Sequence, residues 1–406
     1  MNEASETPAA SPVANPLAPV VKIIGVGNAG IAMLGVLDPA EFATAQFIAV
    51  NTDASAFAGS TAPVKIHLEN KLLRGLGSGG DPERARALAE EQFSTLKSEC
   101  EGASVVFLLA GLGGGAGSGI SPVLAKAAHE AGALVLAFVT LPFGCEGNRR
   151  EGQAQQSLEQ LRAVADGVIS LPSQRIFKLI DENTGALDTF RVVDGFLIEG
   201  VRGVWHLLTR PGLIQVHFGD LCGLLRDRHA DNAFAFVEAT GAGRAREVVE
   251  NLFSHPLLDD GRALAESEAV LVSLTAGKDL SMAEISRVMD QVKRQCNHAQ
   301  IIMGAAVDAG MNEKLCVTLI VARQSLSTPA PRPQLPEARA TGGLAAHREV
   351  MMTRPRARKG NSKAAVQTQL PLTIVSKGRF DKSEPTKHNG EDLDVPTFIR
   401  RGMAMN

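Results

Sequence analysis

Between Val105 and Lys126 the chain reads VVFLLAGLGGGAGSGISPVLAK, and no other stretch restricts the fold as much. The opening run VVFLLA is continuously apolar, as a strand buried on both faces of a parallel sheet must be. Side chains then almost vanish. Gly111, Gly113, Gly114, Gly115, Gly117 and Gly119 free the backbone to adopt positive φ and to press its N–H groups against a ligand. Ser121 and Pro122 follow as a cap and an early helical residue, so the spacing predicts a helix opening there. A buried strand, a bare loop and a helix N-terminus together form an anion site whose natural guest is a phosphate chain. The loop is not a Walker motif, because Gly117 is followed by Ser118 and Gly119 by Ile120, with no lysine. Phosphate charge must be met by amides, a metal ion or a distant arginine.

A second glycine pattern lies upstream. Val21 to Ile24 reads as a strand that runs into Gly25-Val26-Gly27-Asn28-Ala29-Gly30, a G-x-G-x-x-G that opens a helix over Ile31 to Leu37. Phe47 to Val50 is a further strand, and Asp53 after it stands where a ribose-binding carboxylate would sit. These residues alone fit a nicotinamide-dependent dehydrogenase. Lys65 to Leu68 reads as a short strand, and the stretch from Arg74 to Glu83 as a loop of the kind that closes over phosphates, before an Ala- and Glu-rich helix to about Ser98. Ala133 to Leu141 and Gly167 to Leu171 are two more strands. Between them Pro142 to Arg150 turns into a helix, with Glu146 and Arg150 at i and i+4 on one expected face. That pair fits a ribose acceptor beside a phosphate cation, and equally a surface ion pair.

Leu187 to Leu208 carries Phe190, Val193, Leu197, Val201 and Trp205 near helical spacing, enough for a spine between two parts of the chain. Arg210-Pro211-Gly212 stops it, and Leu213 to Leu221 reads as a loop bearing His217 and Asp220. From Ala235 the order becomes strand, helix, strand, helix and two strands, a smaller unit without a glycine loop. The organisation expected is a tail over 1–20, a first domain over 21–225 containing the spine, a second over 226–324, a basic linker over 325–390 and a terminal peptide over 391–406. Between Ser325 and Gly390 there are 12 Lys or Arg against 4 Asp or Glu, so an acidic body carries a basic arm. The segment Arg348 to Lys359 fits contact with anionic lipid or nucleic acid, or a solubilising spacer. The five cysteines have no metal-ligand spacing, the first 20 residues have no signal-peptide pattern, and no apolar run of about 18 residues occurs. Those features fit a reducing cytoplasm and no membrane span.

Taken in order, these motifs resemble one family, the tubulin-like GTPase FtsZ of bacterial cell division. Gly113 to Gly119 is similar to its GGGTGTG signature. FIAVNTDA, LRGLGSGGDPE, PFGCEGNRR, TRPGL, HPLLD and the terminal DLDVPTFIRR are similar to others, so the likeness spans Val21 to Arg323 and the tail peptide. The resemblance implies an α/β fold: a Rossmann-like parallel-sheet GTPase domain joined by a long central helix to a smaller α/β domain. It implies a cytoplasmic protein at the division site on the inner face of the membrane. It binds GTP or GDP, with Mg2+ beside the phosphates, and polymerises with itself. Asp392 to Arg401 would meet membrane-tethering and regulatory division proteins. By position, the GTP would be held by Asn28, Ala29, Gly30, Ile31, Ala32, Gly113, Gly114, Gly115, Ala116, Gly117 and Ser118, with Glu146 and Arg150 near the ribose and Asp194 reading guanine. Gln215, His217 and Asp220 would enter a neighbouring subunit's site to complete catalysis.

The sequence departs from the family where chemistry is expected. Gln215, His217 and Asp220 replace Asn-x-Asp-x-x-Asp, Ala32 stands for an Asn, Ala116 for a Thr, and Ser173 for an Asn near the base. Binding by backbone amides survives such losses, whereas turnover is expected to slow. A filament scaffold that holds GTP and scarcely hydrolyses it is therefore a second reading beside the GTPase, and the dehydrogenase a third.

Overall fold

The computed structural model describes residues 19–69, 77–176, 179–181, 183–209, 212–225, 230–259, 261–296, 298–308 and 310–323, together with Lys387–His388 and Glu391–Asp392. The linker and terminal-peptide expectations lie outside these residues, apart from the antiparallel pairing of Lys387–His388 with Glu391–Asp392. The N-terminal tail up to residue 18, the loop over 70–76 and Arg210-Pro211 lie outside them too.

The apolar runs of the first half become β1 (Val21–Val26), β2 (Gln46–Asn51), β3 (Val64–His67), β4 (Val105–Gly111), β5 (Leu134–Leu141) and β6 (Gly167–Pro172). They pair in parallel in the order β3-β2-β1-β4-β5-β6. That is the doubly wound order, with its switch point between β1 and β4. All six residues of β1 are buried, and β4 and β5 are buried along six residues each, which explains their unbroken hydrophobicity.

The second half supplies β7 (Gly212–Ile214), β8 (Ala230–Thr240), β9 (Ser267–Ala276), β10 (Gln300–Val307) and β11 (Lys314–Arg323). The strand-helix order expected from Ala235 is observed, with helices Arg244–Phe253 and Met282–Gln295. Ser281 and Glu284 form a reciprocal capping box at the second of these. β8 starts at Ala230 and pairs in parallel with β6, so strands on both sides of residue 225 belong to one sheet. Among the described residues that sheet has 11 strands.

The central helix runs over Ala186–Thr209. Val193, Leu197, Val201 and Trp205 are buried as the spacing predicts. Phe190 is not: it is 49% exposed and stands at the mouth of a cleft, against Phe143 at 5.3 Å between ring centres. Two glycines let the helix approach the sheet, since a Cβ on Gly200 would lie 3.0 Å from Phe234 and one on Gly203 2.6 Å from Thr318. Glu41 fastens the other side. Its carboxylate accepts from Arg202 Nε at 3.0 Å and contacts His206 Nε2 at 2.7 Å, while its carbonyl accepts from Trp205 Nε1 at 3.2 Å.

Three local expectations are corrected. The helix after β1 begins at Gly27 rather than Ile31, because Gly27 takes φ +70° and turns the chain at once. The stretch before Ser98 is two helices, Pro82–Glu91 and Phe93–Cys100, divided at Gln92, whose φ −105° and ψ 23° leave the helical region. The segment Leu213 to Leu221 is only partly a loop. Gly212–Ile214 pairs with the edge of β10, Phe218–Leu225 is a helix, and a sheet edge captures what local propensity leaves open.

Candidate functional site

Two loops meet at the switch point between β1 and β4, and only glycine lets them do so. A Cβ on Gly27 would lie 3.0 Å from the Gly117 nitrogen, one on Gly30 2.3 Å from the Leu109 oxygen, and one on Gly111 2.7 Å from the Ala29 Cβ. On Gly117 it would come within 2.1 Å of the Gly111 oxygen. The first helix turns after both loops therefore sit backbone against backbone, with their free N–H groups facing one cleft.

The helix after β4 opens at Gly115, six residues before the expected Ser121-Pro122 start. Pro122 lies inside it, where it cannot bond the Ser118 carbonyl. Ser157 repairs the loss, its hydroxyl donating to Ser118 O at 2.8 Å. The early start places Gly114, Gly115, Ala116 and Gly117 on the wall of the cleft. Gly113, at φ +102°, does not line it; its N–H donates to Ser118 Oγ at 2.8 Å, which braces the loop from behind.

The cleft measures about 580 Å³. Of the residues expected from the sequence, Asn28, Ala29, Gly114, Gly115, Ala116, Gly117, Glu146, Arg150 and Asp194 line it. Gly30 and Ile31 are buried beneath the first loop, Ala32 points outward, and Ser118 is buried behind the second. Glu146 occupies a 3-10 turn, Gly144–Glu146, ahead of the helix Asn148–Arg162, with Gly147 between them at φ +95°. The expected single helical face is therefore a turn and a helix start. Arg150 Nη1 still donates to Glu146 Oε2, and Glu146 Oε1 accepts from Phe143 N at 2.9 Å.

Other lining residues carried weaker sequence signals. Asn51 Nδ2 donates to Asn28 Oδ1 at 2.7 Å and so orients the first loop, while Asn51 Oδ1 accepts from Thr52 N at 2.8 Å. Thr52 Oγ1 accepts from Ser78 N at 3.1 Å and draws the segment 77–80 against Gly115, where a Cβ would meet Ser78 Oγ at 2.3 Å. Asp53 lines the cleft but is engaged as a cap, accepting from Ser55 N at 2.9 Å. The Ser173 hydroxyl is turned to Leu141 O at 2.5 Å. FIAVNTDA showed Asn51 and Thr52 as strand-end polar residues, while Phe190 was hidden by its match to the helix period.

At the far end Phe190, Val193 and Asp194 project from the first turns of the central helix. Burial pushes the Asp194 carboxyl up to about 6. An apolar ring face beside a desolvated carboxylate suits a planar heterocycle with adjacent N–H donors. Amides at one end and a carboxylate at the other fit a nucleotide lying along the cleft. The exposed Gln215, His217 and Asp220 are not among the residues that line it in the same chain.

The profile of the Tubulin/FtsZ family, GTPase domain, matches residues 20–181, and that of the FtsZ family, C-terminal domain, residues 233–324. Cell division protein FtsZ of Coxiella burnetii is 32% identical over 386 residues, which are 94% of this chain and 96% of that protein. An empty FtsZ dimer from M. jannaschii matches with a TM-score of 0.69 at 31% identity, covering 75% of this chain and 88% of its own. CetZ2 from Haloferax volcanii, solved as a GTPγS-bound protofilament, matches with a TM-score of 0.63 at 22% identity over 76% of this chain and 94% of its own, a likeness of fold. The parallel-sheet domain, central helix and second α/β unit are thus those of the relatives, and the chain belongs to the FtsZ family.

Proposed function

We propose that the cleft binds GTP with its phosphates on the two glycine loops and its guanine between Phe190 and Asp194, and that a second copy of the chain completes hydrolysis. As a member of its family the chain is a GTP-binding, filament-forming cell-division protein. The observation that carries the finer reading is the meeting of two helix N-termini at one strand-order switch point, with a desolvated carboxylate at the opposite end. A carboxylate accepts from guanine N1–H and N2–H and has no such match on adenine.

Hydrolysis needs a group that orients water, and the cleft offers none evidently free for it: Glu146 is paired with Arg150, Asp53 caps a turn, and Asp194 lies among the groups assigned to the base. Gln215, His217 and Asp220 stand exposed on the segment between β7 and the helix Phe218–Leu225, so they are available to a neighbour. The His217 carbonyl accepts from Asp220 N at 2.9 Å, which fixes the two in one turn. Among the described residues no cluster of three His, Cys, Asp or Glu could hold a metal ion. A magnesium ion would then be held mainly by phosphate oxygens and water, as its coordination prefers, and would supply charge neutralisation. No described helix is long and apolar enough to cross a membrane, and recruitment to the division site is assigned to the terminal peptide.

Sedimentation with GTP, with GDP and without nucleotide, alongside phosphate release at several protein concentrations, tests the reading. GTP-dependent pelleting with a rate per protomer that rises with concentration is expected. A rate unchanged by dilution would refute the shared site. Pelleting without measurable phosphate release would favour the scaffold reading.

A further inference from the structure

Where β6 meets β8, Asn232 is 1% exposed and neither its Nδ2 nor its Oδ1 has a hydrogen-bond partner among the described residues. The side chain fits there because residue 167 on β6 is glycine, and a Cβ at that position would lie 2.8 Å from Asn232 Nδ2. A buried amide without a partner is costly, and a native chain that keeps one calls for an explanation. Asn232 lines a cavity of about 190 Å³ together with Arg162, Arg175 and Arg323. Asp259 pairs with Arg175 at 2.5 Å and with Arg323 at 3.5 Å, so three guanidinium groups face one carboxylate and two positive charges remain in excess.

We infer that this junction is a binding site for a small dianionic oxyanion of the phosphate class, held by Arg162, Arg175 and Arg323 with Asn232 donating its amide from the buried wall. Guanidinium forks match the geometry of phosphate oxygens, and the Asn232 amide supplies a donor that no protein group uses. The site shares only Leu141 with the lining of the nucleotide cleft. Its walls come from β6 and the end of the helix Asn148–Arg162 on one side, and from β8 and β11 on the other, so a bound anion ties the two halves of the sheet together. The same chemistry is offered by free inorganic phosphate and by a small phosphate monoester.

The test uses the full chain saturated with GDP, so that the nucleotide cleft is occupied. Thermal unfolding is followed against inorganic phosphate, against glycerol phosphate and against chloride at matched ionic strength. The midpoint is expected to rise and saturate with at least one of the phosphates and not with chloride, by the linkage of folding to ligand binding. The phosphate that acts at the lower concentration names the source. Arg162→Gln should raise the concentration of half-effect by about tenfold or more, since it removes a charged bidentate partner. Asn232→Leu, which exchanges the partnerless amide for a side chain of similar size, should unfold at the same or a higher temperature without phosphate and lose the response. A wild-type midpoint that follows ionic strength alone, or an Arg162→Gln protein that responds like wild type, would overturn the site.

Discussion

Asp194 carries the pH dependence of the cleft. Its carboxyl is pushed up to about 6 by burial, against an ordinary value of 3.8, so the folded protein binds this proton more tightly than the unfolded chain does. Asp194 therefore contributes stability that is present below the unfolded value and is lost as pH rises through about 6. Guanine recognition runs the other way, since only the ionised carboxylate accepts both donors. GTP affinity is expected to fall about tenfold between pH 7 and pH 5, where roughly one protein in eleven keeps the charge. Equilibrium binding of labelled GTP across that range checks it, and Asp194→Asn should bind weakly with a flat profile; a wild-type profile equally flat would remove Asp194 from the base. At the catalytic turn, Asp220→Ala is expected to lower phosphate release by roughly 10² to 10³ while leaving GTP binding intact, because a positioned polar group is lost. His217→Asp should speed release by restoring negative field, and an unchanged rate would mean that His217 suits its neighbours. What the sequence makes legible at this scale is spacing. Glycines at 27, 111 and 117 announce close backbone approach, whereas Phe190 obeys the helix period of Val193 and Leu197 and yet faces the cleft, because it sits one turn before the helix meets the sheet.

The central helix offers a paired test of how elements pack. Gly195 and Gly203 both lie within it, and a Cβ on Gly195 would meet nothing within 4 Å. Gly195→Ala is therefore expected to stabilise the nucleotide-free protein by about 0.8 to 1 kcal/mol, the usual helical difference between the two residues. On Gly203 the same methyl would lie 2.6 Å from Thr318 on β11, so Gly203→Ala should destabilise by about 1 to 3 kcal/mol through overpacking. Urea unfolding of the two variants gives opposite shifts of midpoint if the helix is seated as described, and shifts of one sign if it is not. The elements were largely legible, because buried parallel strands write themselves as apolar runs. Their ends were not. The helix start at Gly115 rather than Ser121 depends on Ser157, 39 positions away from Ser118, accepting the task of satisfying a carbonyl that Pro122 abandons. Likewise the short strand Gly212–Ile214 exists through its partner β10, which no local pattern reveals.

For the whole molecule the decisive question is whether one chain's cleft works with another chain's turn. The terminal peptide is separable from it, and deleting residues 391–406 should abolish recruitment to the division site while GTP binding persists; loss of binding on deletion would place the peptide in the fold itself. The shared site can be tested with two variants that are each inactive for a different reason. Gly114 caps the helix after β4 at φ −98° and ψ 174°, and a Cβ there would meet nothing within 4 Å. Gly114→Asp is therefore compatible with the fold, since Asp is a favoured cap, but it sets a negative charge where the phosphates must lie. Asp220→Ala keeps the cleft and loses the turn. Alone, each protein should release little phosphate. In a head-to-tail assembly an Asp220→Ala cleft can face the intact turn of a Gly114→Asp neighbour, and random mixing at equal amounts makes about a quarter of the contacts complete, by the geometry of heterologous interfaces. The mixture should then recover up to about that fraction of the wild-type rate. If each chain instead carries its own catalytic groups, no contact between two defective chains restores a working site, and the mixture stays as inactive as its parts.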